Sequence, residues 1–181
     1  MINKSRLLKT LATLISIDSQ NPNGTEQKIA AWVSAYLRKL GISVMTPAFV
    51  KNRPNVLATI PGASRKRLLI TPHLDTVPAG TGWHTDPFKA TMRQGKIFGL
   101  GTTDCKGNLA CALEVIHSLR EDNKQLAYAL MFAATADEES GSPWGLIPLL
   151  DKNVITADAA LVLDADDFEI VVAQKGLLHV K

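Results

Sequence analysis

The stretch LLITPHLDT, residues 68–76, decides the fold. It opens with an apolar run at residues 68–71, which predicts a short strand, and polar residues follow it. Side chains two apart in extended backbone point the same way, so His73 and Asp75 can face one site. Ligands of open α/β sheets bind beyond the carboxyl ends of the strands, so we expect the site just after this strand.

Four further short apolar runs predict the other strands of the sheet. They comprise residues 42–44, 55–60, 126–134 and 159–163. Several are apolar on both faces, which is typical of strands covered by helices on each side. Helices are predicted at residues 25–40, 107–119 and 144–150, and a hairpin within residues 88–98. The alternation of strands and helices in the second half predicts an α/β domain with a largely parallel sheet.

Acidic residues follow two of these predicted strands and also occupy a glycine-rich loop. Glu138 and Glu139 come shortly after the fourth predicted strand, and Asp164 directly follows the fifth. Asp104 lies in the glycine-rich loop at residues 99–107, which leads into a predicted helix. One histidine and several carboxylates at the same end of a sheet form a hard nitrogen and oxygen ligand set. This set suits Zn²⁺ or a similar divalent ion.

Each of these features also has an ordinary interpretation. An isolated His-x-Asp pair is usually a surface pair, and acids after a strand are commonly solvated or cap a turn. Glycine-rich loops can cradle phosphate, but this one lacks the Lys-Ser or Lys-Thr ending, and its spacing differs from the dinucleotide fingerprint. A serine hydrolase is disfavoured because the sequence contains no Gly-x-Ser-x-Gly elbow. The coincidence of four such elements in this order favours a metal site.

The composition argues against several other classes of protein. The net charge of +3 comes from scattered basic residues, and the cluster at residues 65–67 has no interleaved aromatic residues, so nucleic acid is not an expected partner. No apolar run approaches the ~18 residues of a membrane span, and the N-terminus predicts a helix and not a signal peptide. Cys105 and Cys111 are predicted to point to different faces of one helix, which excludes a local disulfide and favours the cytoplasm.

Five segments together carry a resemblance to a known family. They are LITPHLDTVP at 69–78, Trp83 with DPF at 86–88, GKI at 95–97, GLGTTDCKG at 99–107 and DEESG at 137–141. The chain resembles the zinc metallopeptidase and deacylase family of acetylornithine deacetylase, succinyl-diaminopimelate desuccinylase, aminoacylase and glutamate carboxypeptidase over residues 17–181. The resemblance implies a three-layer αβα fold with a mixed, mostly parallel central sheet.

The resemblance also implies a ligand set for two metal ions. His73, Asp104 and Asp164 would hold one Zn²⁺, and Asp104 and Glu139 would hold the second. Co²⁺ or Mn²⁺ are possible replacements for zinc. Because Asp104 would bridge the two ions in a fixed direction, a strained link to Cys105 is predicted, and the resemblance suggests a cis peptide bond there.

Two catalytic residues follow from the same resemblance, Glu138 as the general base and Asp75 as the acid of the His-x-Asp motif. The implied reaction is hydrolysis of an amide bond in a small N-acyl amino acid by a metal-bound hydroxide, with Glu138 moving the proton to the leaving amine. GLGT at 99–102 and ATADEE at 134–139 are most similar to acetylornithine deacetylase. Asp164, in contrast, is more typical of the peptidase branches, so a dipeptidase or carboxypeptidase stays as the alternative.

The chain departs from the family pattern in two ways. The second zinc of the family takes a histidine from near the C-terminus of a much longer chain, and His84, His117 and His179 lie at no matching position. Residues 175–181 look like the opening strand of the family's lid. We expect residues 1–174 to be the N-terminal part of the catalytic domain and 175–181 to begin an absent lid or dimerisation domain, through which the parent would form a homodimer. The chain alone is expected to be weakly active or inactive, and a truncated fragment that only binds metal is a further alternative.

Overall fold

The structure, a computed structural model, describes residues 1–164 and 170–173. Its helices are α1 (Lys4–Ser16), α2 (Glu26–Lys39), α3 (Lys106–Glu121) and α4 (Leu146–Asp151). Its strands are β1 (Val44–Met45), β2 (Val56–Ile60), β3 (Arg67–Thr71), β4 (Thr91–Arg93), β5 (Lys96–Phe98), β6 (Ala129–Ala134) and β7 (Ala159–Val162). A short 3₁₀ turn at Glu138–Ser140 follows β6. The predicted lid strand at residues 175–181 lies outside the described residues.

Five of the strands form one mixed sheet in the order β1-β2-β6-β3-β7. β3 pairs in parallel with β6 and β7, whereas β2 runs antiparallel to β1 and β6. The other two strands, β4 and β5, form a hairpin that turns at Gln94 and Gly95, with φ angles of 49° and 74°. The predicted mixed α/β sheet and the predicted hairpin are confirmed. The antiparallel direction of β2 was not visible in the sequence, because a short apolar run looks the same in either direction.

Alternation along β2 directs its side chains into two separate hydrophobic clusters. Val56 and Ile60 lie in the larger cluster, together with apolar residues of α1, α2 and α3. Leu57 lies in the smaller cluster with Leu149 of α4. Helices therefore cover both faces of the sheet, which gives the three-layer arrangement that the family resemblance implied.

The helix boundaries follow local signals in the sequence. α2 begins directly after Thr25 and ends shortly before Gly41, whose φ of 72° suits a residue without a Cβ. α3 begins at Lys106, near the end of the glycine-rich segment, and confirms the helix predicted at 107–119. In the described part of the chain, no helix combines the length and the apolar character that crossing a membrane requires.

The three parallel strands β3, β6 and β7 all end at one edge of the sheet. Pairing continues past the strand ends, because His73 forms a parallel bridge with Thr135. Beyond β7, the Leu163 amide donates a 3.0 Å hydrogen bond to the Thr71 carbonyl oxygen. The residues that follow these strands therefore emerge side by side, where the sequence predicted the site.

Candidate metal centre

His73 lies just beyond β3, and only 3% of its surface is exposed. Its Nε2 atom is 2.7 Å from Asp104 Oδ1, and its Nδ1 atom is 3.0 Å from the backbone oxygen of Asp75. A carboxylate oxygen of Asp75 approaches the same Nδ1 atom to 3.5 Å. Burial by itself would lower the pKa of His73, but the hydrogen bonds to these two aspartates outweigh it and raise the pKa. The ring is therefore held at both nitrogens, with Nε2 directed at Asp104.

Asp104 reaches His73 from the glycine-rich loop that precedes α3. The peptide bond between Asp104 and Cys105 is cis, as the family resemblance suggested. The hydrogen bond with His73 lowers the pKa of Asp104, and a hydrogen bond with Asp164 acts in the same direction. The Asp104 side chain is 54% exposed, so its carboxylate is accessible to a ligand.

Asp75 is fully buried, and three residues besides His73 donate hydrogen bonds to its carboxylate. The backbone amides of Glu138 and Glu139 each donate to it at 3.1 Å, and Asn21 Nδ2 donates at 2.8 Å. Burial alone would raise the pKa of Asp75, yet hydrogen bonds from His73 and Asn21 lower it. Asp75 has no exposed surface, so its contacts are with the protein groups around it.

The turn after β6 carries Glu138 and Glu139 to the same edge of the sheet. Asp137 precedes them with a φ of 64°, and the following three residues form the 3₁₀ turn. Glu138 Oε2 is 3.9 Å from His73 Nε2, and Glu139 Oε1 accepts a 3.0 Å hydrogen bond from the Val77 amide. The turn thus places one carboxylate near the imidazole and ties the other to the segment that follows β3.

Carboxylates crowd this edge, and the pKa values of Glu138 and Glu139 are raised there. Burial, together with the charge of Asp104, raises the pKa of Glu139 to about 7. Burial also raises the pKa of Glu138, where the charge of Asp164 adds to the effect and that of His73 opposes it. A divalent cation would relieve this repulsion, and carboxylate oxygens beside an imidazole match the ligands that Zn²⁺ takes in proteins. The donor set therefore fits a divalent metal ion.

The structure brings together all of the site residues that the sequence predicted. They are His73, Asp75, Asp104, Glu138, Glu139 and Asp164. The predicted convergence would be wrong if Asp104 lay at the opposite edge of the sheet from His73, but these two residues are in direct contact. Their individual roles as metal ligands, general base and orienting acid stay predictions.

Cys105 offers a further donor atom that the sequence did not single out. Its sulfur, a His73 nitrogen and an Asp104 oxygen lie within 4.8 Å of one another. The sulfur, however, accepts a 3.1 Å hydrogen bond from the His73 amide and donates one at 3.4 Å to the His73 carbonyl oxygen. Burial raises the pKa of the Cys105 thiol, which disfavours the thiolate that metals bind. We therefore interpret Cys105 as a support for the His73 backbone and not as a ligand.

A set of buried polar residues behind the turn was missed in the sequence. Arg53 contacts Glu26 at 2.7 Å and Asp137 at 2.6 Å. Asn21 Nδ2 donates to both Asp75 and Asp137. Glu26 and Asp137 are each only 1% exposed. In the sequence these residues have the composition of a solvated surface, so only their burial in the folded chain reveals them.

A mixed α/β sheet whose carboxyl edge gathers a histidine and several carboxylates defines a domain of the metallohydrolase class. Residues 69–180 match the peptidase family M20/M25/M40, and the chain belongs to this family. The resemblance drawn from the five sequence segments is thereby confirmed.

Individual relatives show how far this similarity extends. The chain is 34% identical over 174 residues to the N-formyl-4-amino-5-aminomethyl-2-methylpyrimidine deformylase of Halalkalibacterium halodurans, covering 93% of this chain and 40% of that protein. It is 32% identical over 167 residues to the acetylornithine deacetylase of Proteus mirabilis, covering 91% of this chain and 42% of that protein. The crystal structure of human carnosine dipeptidase 1 matches with a TM-score of 0.78 and 25% identity, covering 88% of this chain and 38% of that one. The chain therefore spans roughly two fifths of the length of these relatives.

Proposed function

We propose that this chain takes part in the metal-dependent hydrolysis of an amide bond in a small N-acyl amino acid. The observation that carries the proposal is the 2.7 Å contact between His73 Nε2 and Asp104 Oδ1, with Glu138 3.9 Å from the same nitrogen. Two relatives support an acyl group on the substrate, because their names, a deformylase and an acetylornithine deacetylase, denote removal of a small acyl group.

In this proposal His73, Asp104 and Asp164 would hold one Zn²⁺, and Asp104 and Glu139 would contribute to a second. Co²⁺ or Mn²⁺ would meet the same donor atoms. A bound divalent cation supplies Lewis acidity, which polarises a substrate carbonyl and lowers the pKa of water. Asp75 keeps the His73 ring in place through Nδ1 and so points Nε2, which contacts Asp104, toward the proposed metal position.

Glu138 is the proposed general base of the reaction. Its side chain is 42% exposed, so water and substrate can reach it. Burial raises its pKa, and a carboxylate whose pKa lies closer to neutrality is a better proton acceptor at neutral pH. Glu138 accepts a proton from the attacking water and passes it to the amine nitrogen as the carbon–nitrogen bond breaks.

A dipeptidase or carboxypeptidase activity is the second candidate, which the similarity to human carnosine dipeptidase 1 favours. Both reactions cleave an amide bond, so the same residues serve in both, and only the groups flanking the bond differ.

The proposal includes a reducing compartment such as the cytoplasm, because Cys105 and Cys111 are both free.

The test combines zinc loading with an amidase assay on this 181-residue chain. We expect only weak zinc-dependent hydrolysis by this chain alone, faster for N-acetylornithine than for simple dipeptides. Replacing the base in Glu138→Gln should lower turnover by about 10²–10⁴-fold and leave zinc binding intact. The control His84→Gln changes a histidine outside the cluster and should alter neither property.

Three outcomes would change the assignment. A wild-type chain that binds no zinc, or a Glu138→Gln variant with undiminished turnover, would contradict the proposed mechanism. Faster cleavage of dipeptides would favour the second candidate. Zinc binding without turnover in the wild-type chain would favour a fragment that holds metal but is not catalytic by itself.

A further inference from the structure

A single buried amide joins the two halves of the candidate metal centre. Asn21 Nδ2 donates to Asp75 Oδ2 at 2.8 Å and to Asp137 Oδ1 at 3.1 Å. Asn21 is 3% exposed, Asp75 is 0% exposed and Asp137 is 1% exposed. Two buried carboxylates would repel each other in this setting, and the amide between them supplies a donor to each.

The Asp137 side of this bridge is anchored by a buried ion pair. Arg53 lies 2.6 Å from the same Asp137 oxygen that Asn21 contacts, and 2.7 Å from Glu26. Glu26 Oε1 also accepts a 3.2 Å hydrogen bond from the Asp137 amide. Both the side chain and the backbone of Asp137 are therefore fixed, at the point where its positive φ starts the turn that carries Glu138.

The Asp75 side of the bridge controls the reactive groups more directly. Asp75 contacts His73 through Nδ1 and accepts the backbone amides of Glu138 and Glu139. The backbone of Asn21 is also tied to this segment, since its N–H donates a 2.8 Å hydrogen bond to the Thr76 carbonyl oxygen. A rotation of the Asp75 carboxylate would disturb the imidazole and the glutamate turn together.

We propose that Asn21 is a positioning residue, which sets the spacing between His73 and the Glu138–Glu139 turn by bridging Asp75 and Asp137. This inference rests on the proposed function insofar as those groups serve a metal centre. A primary amide suits the position because its nitrogen carries two hydrogens, one for each carboxylate. Aspartate at this position would add a third buried negative charge, and leucine of similar size would donate to neither neighbour.

Zinc affinity is the first measurement, made by calorimetric titration of the 181-residue chain with Zn²⁺. Asn21→Leu and Asn21→Asp should each weaken zinc binding at least about tenfold, which is the range for partners that orient metal ligands. The matched control is Glu114→Gln. This change weakens a different buried polar contact, the ion pair between Glu114 in α3 and Arg6. Glu114→Gln should lower the free energy of unfolding but keep zinc affinity within about twofold. The candidate metal ligands keep their orientation as long as the site stays folded.

Amide hydrogen exchange in the metal-free chain is the second measurement and does not depend on zinc. The amides of Glu138 and Glu139 should be protected in the wild type, because both donate to the buried Asp75. Asn21→Ser, a smaller change that cannot span both carboxylates, should reduce this protection at least about tenfold while Leu130 in β6 keeps its own. Unchanged protection at both glutamates, or equal zinc losses in Glu114→Gln and Asn21→Leu, would overturn the inference. A wild-type chain that binds no zinc would contradict the proposed function, whereas the exchange experiment would still decide the role of Asn21.

Discussion

His73 and Asp104 are 31 positions apart in the chain, yet His73 Nε2 and Asp104 Oδ1 lie 2.7 Å apart. β3 delivers the histidine to the sheet edge, and the glycine-rich loop before α3 delivers the aspartate. The next residue along, Cys105, fixes the His73 backbone through hydrogen bonds at 3.1 Å and 3.4 Å. The pair is therefore held from both sides by the fold itself, and Asp104, whose side chain is 54% exposed, stays accessible to a ligand.

Replacing Asp104 should damage zinc binding far more than replacing its neighbour Cys105. Asp104→Asn keeps the size of the side chain but removes its charge, so we expect zinc affinity to fall by about a hundredfold or more. Cys105→Ala removes a buried support and should change affinity by less than about tenfold. Titration with Co²⁺ gives a second readout, because a sulfur ligand would produce a thiolate charge-transfer band. The presence of that band would show that Cys105 is a ligand and contradict our interpretation.

Removal of Arg53 should destabilise the fold strongly. Arg53→Met leaves Glu26 and Asp137, each 1% exposed, as buried charges without their cation, which typically costs about 3–5 kcal/mol. Urea unfolding measures the loss. The double variant Glu26→Gln with Arg53→Met removes one of the two stranded charges, so it should recover part of the stability. A loss below about 1 kcal/mol would instead assign the pair to the weak, solvated class of ion pairs.

The contact between Glu114 of α3 and Arg6 of α1 should make stability depend on pH. Burial alone would raise the pKa of Glu114, but the hydrogen bond from Arg6 outweighs it and lowers the pKa below its ordinary 4.5. The stabilisation is therefore complete above pH 4.5 and is lost as the pH falls through the lower folded-state pKa. Glu114→Gln should be less stable than wild type at neutral pH, and urea unfolding should show the difference narrowing in acid. A difference that stays constant with pH would contradict the assignment.

Gly107→Ala should destabilise the chain although alanine favours helices. In the first turn of α3, helix propensity predicts a gain of about 1 kcal/mol for this change. An added Cβ, however, would lie 2.2 Å from the Thr102 carbonyl oxygen, so the backbone of the loop carrying Asp104 would have to move. We expect the steric cost to exceed the gain and zinc affinity to fall with it. Asn108→Ala, one position further along α3, is the control and should be tolerated in both measurements.

The positions of the candidate site residues could be predicted from the sequence because each one lies next to a predicted element. Asp164 follows an apolar run directly and His73 follows one after a single residue, and parallel strands must end at the same edge of a sheet. The residue types then indicated the kind of site, since a histidine and several carboxylates at one edge suit a divalent metal ion. The direction of β2 had no such marker, because its pairing with β6 depends on contacts that are remote in sequence.

The supporting polar residues could not be predicted, for a different physical reason. Asn21 and Asp137 are 116 positions apart, and neither shows a local pattern that indicates burial. An asparagine before proline indicates a turn, and Arg53 in a loop is ordinarily solvated. Only the packing of α2 and the glutamate turn against the sheet edge places these side chains out of water, where each needs a partner.

Zinc titration of the chain should reveal one tight equivalent and a much weaker second one. Within the described residues, the proposed assignment gives the first ion three protein donors, from His73, Asp104 and Asp164, but gives the second only Asp104 and Glu139. Zn²⁺ usually takes four ligands, so the second ion would rely mostly on water and should bind at least about a hundredfold more weakly. Calorimetry resolves the two steps, and variants assign them. Asp164→Asn should weaken the tight step, whereas Glu139→Gln should remove the weak step and leave the tight one. Two equally tight equivalents would refute this prediction, because Asp104 and Glu139 would then suffice for the second ion, and loss of the tight step in Glu139→Gln would move that glutamate to the first.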